Sequence, residues 1–285
     1  MKAALYPNFQ KKNALDFARD VCGVLIAEGI TVSVSEEFRE QFEDIAEVVY
    51  EPVEYSAKTA DVVIAIGGDG TILRCAKYLI GTPTKLLGIN TGTLGFMAGL
   101  EADQLDKLKK LKTGDYNVSD RMTLSAVIHT PDGDRIYTAL NDICIKSKNL
   151  KICDFEVLSD GYLIGRYRAD GVLFSTPSGS TAYALSAGGP VIEPDLECIE
   201  MTLICPHSLF SRATLFSAER SLIFRDTTSD SERPMCITVD GDTCIELRNG
   251  QSIEIRKGSE KVKFIDLIGN SFHESLCRKM MKPIK

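Results

Sequence analysis

DVVIAIGGDGT, Asp61 to Thr71, joins an unbroken apolar run to a glycine turn. The run has no polar alternation, so it reads as a strand buried on both faces of a parallel sheet. A helix is expected directly after the turn, over Ile72 to Leu79. Strand, glycine turn and helix in that order form one α/β unit, and the flanking sequence repeats it. Upstream, Ala3 to Tyr6 and Thr31 to Val34 read as short strands. Between them, Asn13 to Glu28 sets Ala14, Phe17, Ala18, Val21 and Leu25 on one helical stripe, with Gly29 as the stop. Downstream, Lys85 to Ile89 is another buried strand, and Glu101 to Lys112 reads as an amphipathic helix with a solvated charged face. Alternating strands and helices predict an open α/β layer over residues 1–118.

The pattern changes near residue 119. Met122, Leu124, Ala126 and Ile128 alternate with other residues, and turns are marked at Pro131–Gly133, Asp160–Gly161, Asp240–Gly241 and Asn249–Gly250. Residues 119–269 are therefore expected to be a β-rich, sandwich-like domain. Pro177 to Gly189 interrupts it with side chains too small for a core strand, and Thr227 to Arg233 reads as an exposed polar loop. A last helix is expected over residues 271–282, with 270–285 packing back on the first domain.

Composition narrows the function. The 285 residues are 44% hydrophobic, ample for two cores, and the formal net charge is −7. An acidic chain is poorly suited to nucleic acid, whose sequence-independent binding rests on lysine and arginine. No apolar stretch is long enough to span a bilayer, and the N-terminus does not read as a secretory signal. Nine cysteines without a C-x-x-C pair read as reduced, mostly buried thiols of a cytoplasmic protein. His129, His207 and His273 show no zinc-ligand spacing to them.

Gly67 to Thr71, GGDGT, carries the first chemistry. Glycines admit close approach of a ligand, amides at a helix start attract anions, and Thr71 is placed to cap the helix. Asp69 is the odd member. A phosphate cradle gains nothing from a carboxylate, whereas phosphoryl transfer uses one to take the proton of an attacking hydroxyl or to hold Mg²⁺. A plain Asp-Gly turn is the competing reading. Arg168 to Pro190, RADGVLFSTPSGSTAYALSAGGP, is the second segment. Its small residues leave room for a flat base, its hydroxyls suit ribose and adenine, and Tyr183 offers an aromatic face.

GGDGT resembles the motif shared by NAD kinases, phosphofructokinases and diacylglycerol-type lipid kinases. The 168–190 segment resembles the signature of the NAD kinase family alone, with Ser178 where that family usually has threonine. Asn141–Asp142, within ALNDICI, is similar to its Asn-Glu pair, although Asp142 is shorter by one methylene, about 1.5 Å of reach. Asn90 to Phe96 (NTGTLGF), Pro7–Asn8 and ICPHSLFSR at 204–212 also resemble family stretches, with Ala213 in place of the usual proline. Asp240–Gly241 is similar to an Asp-Gly near the phosphates, followed here by Asp242 where a neutral residue is common.

The resemblance implies an ATP-dependent transfer of the γ-phosphate to the 2′-hydroxyl of NAD, giving NADP, with NAD lying between the two domains. It implies Asp69 as the base, with Gly68, Gly70 and Arg74 beside the phosphates. Asn141 and Asp142 would hold base and ribose, and Lys151, Arg168 and Asp170 would make further NAD contacts. Ser178, Thr181, Ala182, Tyr183 and Ser186 would line the adenine and ribose pocket. His207 reads as structural or as a ligand contact. A divalent metal, Mg²⁺, is expected to arrive on ATP, since the chain shows no dedicated metal cage. NAD and ATP are the expected partners, without nucleic acid or membrane, in a homo-oligomer (dimer or tetramer). A lipid or sugar kinase of the same superfamily and a non-catalytic NAD(P) sensor are the competing readings.

Overall fold

The computed structural model describes all residues except 11–13, 93–94, 131–132, 150, 209, 229–234, 243, 248–250, 270 and 281–285. The chain divides into two units: Met1–Asp120 with Val262–Lys285, and Arg121–Lys261.

The first unit opens with β1 (Lys2–Pro7), α1 (Ala14–Ala27) and β2 (Thr31–Val34). Ala14, Ala18, Val21 and Leu25 are buried as the stripe requires, joined by Cys22, while Phe17 packs at the margin. Gly29, at φ 73°, supplies the left-handed turn that ends the helix. A 3₁₀ turn (Glu36–Phe38), α2 (Arg39–Phe42), β3 (Val49–Tyr50) and α3 (Val53–Thr59) follow. These pieces are too short to carry a visible period, and buried Phe42 anchors them. Then come β4 (Val62–Gly67), α4 (Asp69–Leu79), β5 (Lys85–Asn90) and β6 (Leu100–Glu101). All six residues of β4 are buried, as an unalternating apolar strand must be.

The expected helix over 101–112 is instead a 3₁₀ segment, Ala102–Lys109, running into α5 (Lys110–Thr113). Gln104 breaks the helical dihedrals there, and only Leu108 and Leu111 are buried. With so small an apolar face, packing does not enforce a regular helix.

The second unit contains β7 (Asn117–Ile128, entering from the first), β8 (Arg135–Ala139), β9 (Asp142–Ser147), β10 (Cys153–Ser159), β11 (Tyr162–Ala169) and β12 (Gly171–Ser175). A 3₁₀ turn (Ser178–Thr181) and α6 (Tyr183–Ser186) interrupt the strands. β13 (Cys198–Ile204), β14 (Thr214–Ser217), β15 (Leu222–Asp226), β16 (Met235–Val239), β17 (Cys244–Leu247) and β18 (Ser252–Asp266) complete them. One sheet runs β8-β7-β18-β15-β10-β11, the other β14-β13-β12-β9-β16-β17. Their inner faces share one core. Phe155, Phe224 and Ile255 come from the first sheet, and Ile143, Phe174, Met201 and Ile237 from the second. This is the sandwich that the alternation predicts.

β18 begins in the second unit, and its last residues, Val262–Asp266, belong to the first. There they pair parallel with β5, so the sheet order is β18-β5-β4-β1-β2-β3, with β6 also beside β5. The sequence reading carried the β-rich domain on to residue 269. α7 (Ser271–Met280) follows, with the Phe272 ring 6.3 Å from Phe96. Among the described residues no helix is long and apolar enough to cross a membrane. All nine cysteines are free: five are buried, but Cys205, Cys244 and Cys277 are exposed, against the expectation of mostly enclosed thiols for those three.

Candidate active site

In the first unit β1, β4 and β5 run parallel and stop together at Pro7, Gly67 and Asn90. Strand C-terminal ends are where open α/β sheets bind ligands. α4 starts here, earlier than the sequence predicts, with extended Gly68 as its N-cap and Asp69 as its first residue. Thr71 is therefore not the cap. It is buried in the first turn, and its hydroxyl accepts a hydrogen bond from Asn8 Nδ2 at 3.0 Å. That ties the Pro7–Asn8 element to GGDGT. A Cβ on Gly67 would stand 2.7 Å from Thr71 Cβ, so glycine is needed there for packing alone.

Asp69 does not hang free. Its Oδ2 accepts the Phe96 N–H at 2.9 Å and its Oδ1 the Met97 N–H at 3.2 Å. A Cβ on Gly95 would overlap Asp69 Oδ1. The described part of the NTGTLGF loop is thus a clamp that fixes the carboxylate's direction at the positive end of α4. Gly70 differs: a Cβ there would meet nothing within 4 Å. Arg74, exposed one turn on, lines a cleft of about 440 Å³ with Asn8, Phe9 and Thr71.

In the second unit Asn141–Asp142 enters β9, and both residues are buried. Asp240 holds them in place. It and Gly241 form a left-handed turn (φ 51° and 73°), and the Asp240 carboxylate accepts the N–H groups of Leu140, Asn141 and Asp142 at 3.0, 2.7 and 3.2 Å. The sequence reading put this Asp-Gly near phosphates; in the structure its carboxylate serves the backbone of 140–142. Asn141 Oδ1 is buried without a partner. A buried orphan acceptor is costly unless a ligand donor meets it. Burial pushes Asp142 up to about 7, and the neighbouring Asp240 and Glu200 carboxyls push the same way.

The 177–190 segment lies over the outer face of the second sheet. Thr176 Oγ1 donates to Leu140 O at 2.6 Å and accepts the Gly179 N–H at 3.0 Å. Gly179 presses so closely on the Asn141 carbonyl that no side chain fits. The small residues therefore have a structural reason as well: they let two helical turns lie flat on Asn141 and Ser175. Ser178, Thr181 and Ala182 are half-buried, while Tyr183 and Ser186 are exposed.

Not all the expected contacts converge in one chain. Ser175, at the end of β12, pairs with Asp142, whereas Arg168 and Asp170 flank the start of that strand. Five residues of strand, about 16 Å, separate Asp170 from Ser175. Lys151 belongs to the far group: Cys153 Sγ bonds the carbonyls of both Lys151 and Asp170. Lys151, Arg168 and Asp170 are all exposed. His207 is exposed too, and its N–H donates to Arg168 O at 2.8 Å.

Sequence reasoning missed Glu200, which is fully buried on β13 beneath Gly189. The signal was present in CIEMTLI, where Glu200 and Thr202 alternate with core-facing Ile199, Met201 and Leu203. Among the described residues no three His, Cys, Asp or Glu groups gather as a metal site.

Comparison with known proteins matches both halves of the chain. The family model of the ATP-NAD kinase N-terminal domain covers residues 4–116, and that of the ATP-NAD kinase C-terminal domain covers 140–267. An NAD kinase of Lachnoclostridium phytofermentans is 35% identical over 286 residues, 98% of each chain. An NAD kinase from Archaeoglobus fulgidus, solved in complex with ATP, is 26% identical with a TM-score of 0.78, over 99% of this chain and 100% of that one. Yeast NADH kinase complexed with NADH shares the fold at a TM-score of 0.88 and 22% identity, over 100% of this chain and 89% of that one.

Proposed function

The chain belongs to the ATP-NAD kinase family, and on that premise we propose that Asp69 takes the proton from the adenosine 2′-hydroxyl of NAD as that oxygen attacks the γ-phosphorus of ATP. The enzyme is an NAD kinase. The new bond joins O2′ to phosphorus, the bond to the β-phosphate oxygen breaks, and ADP leaves with NADP formed. The clamped carboxylate of Asp69 at the start of α4 carries this assignment. A ribose hydroxyl is a poor nucleophile at neutral pH, but a loose phosphoryl transition state needs its proton removed only late. Alignment and charge stabilisation supply most of the rate. Amides of the first turn of α4 and Arg74 face the phosphates, and the open space at Gly70 leaves room for them. The divalent cation enters as part of the substrate, MgATP, which agrees with a carboxylate already engaged by two backbone amides.

Asn141 and Asp142 bind base and ribose, with Ser178, Thr181, Ala182, Tyr183 and Ser186 forming the adenine side. Arg168, Asp170 and Lys151 contact more distant parts of the dinucleotide. We place the enzyme in the cytoplasm, supported by nine free thiols, and as a homo-oligomer. Exposed Tyr162, Leu163 and Ile164 on edge strand β11 offer one surface for self-association.

The test is a coupled assay for NADP with MgATP and either NAD or NADH. Asp69→Asn keeps the size, loses the proton acceptor and can accept only one of the two clamp amides. A fall of about 10²–10⁴ in kcat is expected, with NAD affinity changed far less. A variant retaining more than about half the activity refutes the role of base. No NADP from wild-type protein that still binds NAD would point to a sensor.

A further inference from the structure

Asp142, Ser175 and Glu200 stand in one row across β9, β12 and β13, all on the sheet face turned away from the core. Glu200 is the more enclosed of the two carboxyls in that row. It has no solvent exposure, and its Oε1 accepts a single hydrogen bond, 2.7 Å from Thr202 Oγ1. Its Oε2 is buried without a partner. Gly189 lies directly on it, so closely that a Cβ would overlap Oε1 and stand 3.0 Å from Ala184 O. The carboxyl group thus forms the floor of the Tyr183–Gly189 turn, whose outer side carries Tyr183 and Ser186.

Lys146 acts on the neighbouring Cys144 and Tyr183, but among the described residues no cation is paired with Glu200 itself. Glu200 acts on Asp142 from β9 and on Cys198 of its own strand, and Asp142 is faced in turn by Asp240, Cys144 and Tyr183. Among the described residues, no lysine or arginine acts on Glu200 or on Asp142. Lys146, farther along β9, is exposed. A fully buried carboxylate with one neutral donor and no cation is strongly disfavoured against the neutral acid.

We propose that Glu200 is a positioning residue for the dinucleotide: as the neutral acid it seats the Tyr183–Gly189 turn and leaves Asp142 as the carboxylate that receives the ribose hydroxyls. The inference rests on Asp142 contacting ribose. Burial pushes both groups up to about 7, and the Glu200 carboxyl adds to the rise at Asp142, so ionising both together is disfavoured. Below that range Asp142 is protonated and loses acceptor strength. Above it Glu200 ionises under the turn. Affinity for NAD is therefore bell-shaped in pH.

The test measures NAD affinity of the full chain by titration calorimetry from about pH 5.5 to about pH 9, for wild type and Glu200→Gln. Glutamine has the same shape and is permanently neutral. Wild-type affinity is expected to peak near neutrality and fall about tenfold per pH unit well to either side. E200Q is expected to lose the alkaline limb and to shift the acid limb to lower pH, because Asp142 loses a like-charged neighbour. In turnover the change appears in KM for NAD rather than in kcat. An E200Q profile superimposed on wild type overturns the proposal. Infrared difference spectra supply an arm independent of binding. At about pH 6, Asp142→Asn is expected to keep a protonated-carboxyl band that the D142N/E200Q double variant lacks, and no such difference overturns the proposal as well. Should D142N bind NAD like wild type, the ribose assignment fails, while the infrared result still reads Glu200 alone.

Discussion

Gly95→Ala tests whether the Asp69 carboxylate, the base proposed above, depends on a loop far from it in sequence. A Cβ at Gly95 would sit 2.8 Å from Asp69 Cγ and 3.1 Å from Oδ2, with Oδ1 closer still. Ordinary contact is about 3.5 Å, so the carboxylate must retreat by about 0.7 Å measured from Cγ, and by more at Oδ1. Retreat stretches the hydrogen bonds from Phe96 and Met97, now 2.9 and 3.2 Å. Bonds to a charged group are worth about 1.5–3 kcal/mol each. A misplacement near 1 Å costs about 10²-fold in rate, about 2.7 kcal/mol of barrier. The expected result is therefore a kcat lower by about 10²-fold. KM for NAD should stay within about threefold, because Asn141 and Asp142 take no part in this clamp. The assay is steady-state NADP formation, with circular dichroism melts to establish folding. A folded G95A enzyme with more than about half the wild-type kcat would show that the clamp does not set the geometry of Asp69.

Gly70→Ala should behave in the opposite way. With open space around the Cβ and a helical backbone, the chain should gain about 0.5–1 kcal/mol of stability, while MgATP turnover drops at least about tenfold because the methyl occupies the path of the phosphates; an active, stabilised G70A removes Gly70 from the phosphate site. Asp142→Ala should weaken NAD binding about 10- to 150-fold, the worth of a charged hydrogen bond, whereas Asp142→Glu restores about 1.5 Å of reach and should bind equally or more tightly. Calorimetry that finds D142E as weak as D142A would mean the pocket is built around the shorter side chain.

Local pattern made the architecture legible. DVVIAI could only be a doubly buried strand, and the alternation through Met122, Leu124, Ala126 and Ile128 could only line one face of a sheet. Asp69 stood out in the sequence because a carboxylate among phosphate-binding amides is out of place unless it reacts, and the structure shows it held by two backbone amides. What stayed hidden lies far apart in sequence or is too short to show a period. The clamp joins residues 27 and 28 positions from Asp69, and Asp240 reaches across about a hundred residues to fix Asn141 and Asp142. No window on the sequence contains both partners. Thr71 looked like a cap because a hydroxyl beside a glycine turn usually is one, but the helix starts earlier and Asn8, just past β1, binds that hydroxyl. The segment 177–190 was legible in composition and not in shape, since its glycines answer to the Asn141 carbonyl and the Glu200 carboxyl, contacts that only the fold creates.

The path of β18 has a consequence for how the molecule is made. The first unit's polypeptide leaves at residue 120 and returns only at 262, so its sheet lacks the strand beside β5 until the second unit has been synthesised. Leu87 and Ile89 share a core with Ile265 and Leu267, so part of that core waits for its last wall. The second unit is one unbroken stretch, Arg121–Lys261, and its last core residues, Ile253 and Ile255, precede Ile265 on the same strand. Synthesis therefore runs against the usual N-terminal-first order. The first unit stays unfinished, with part of its core uncovered, while the second is synthesised, and β18 completes both. A chain that stops short of residue 262 would leave the unit bearing Asp69 incomplete, so a truncated product that carries Asp69 would lack the finished sheet that holds it.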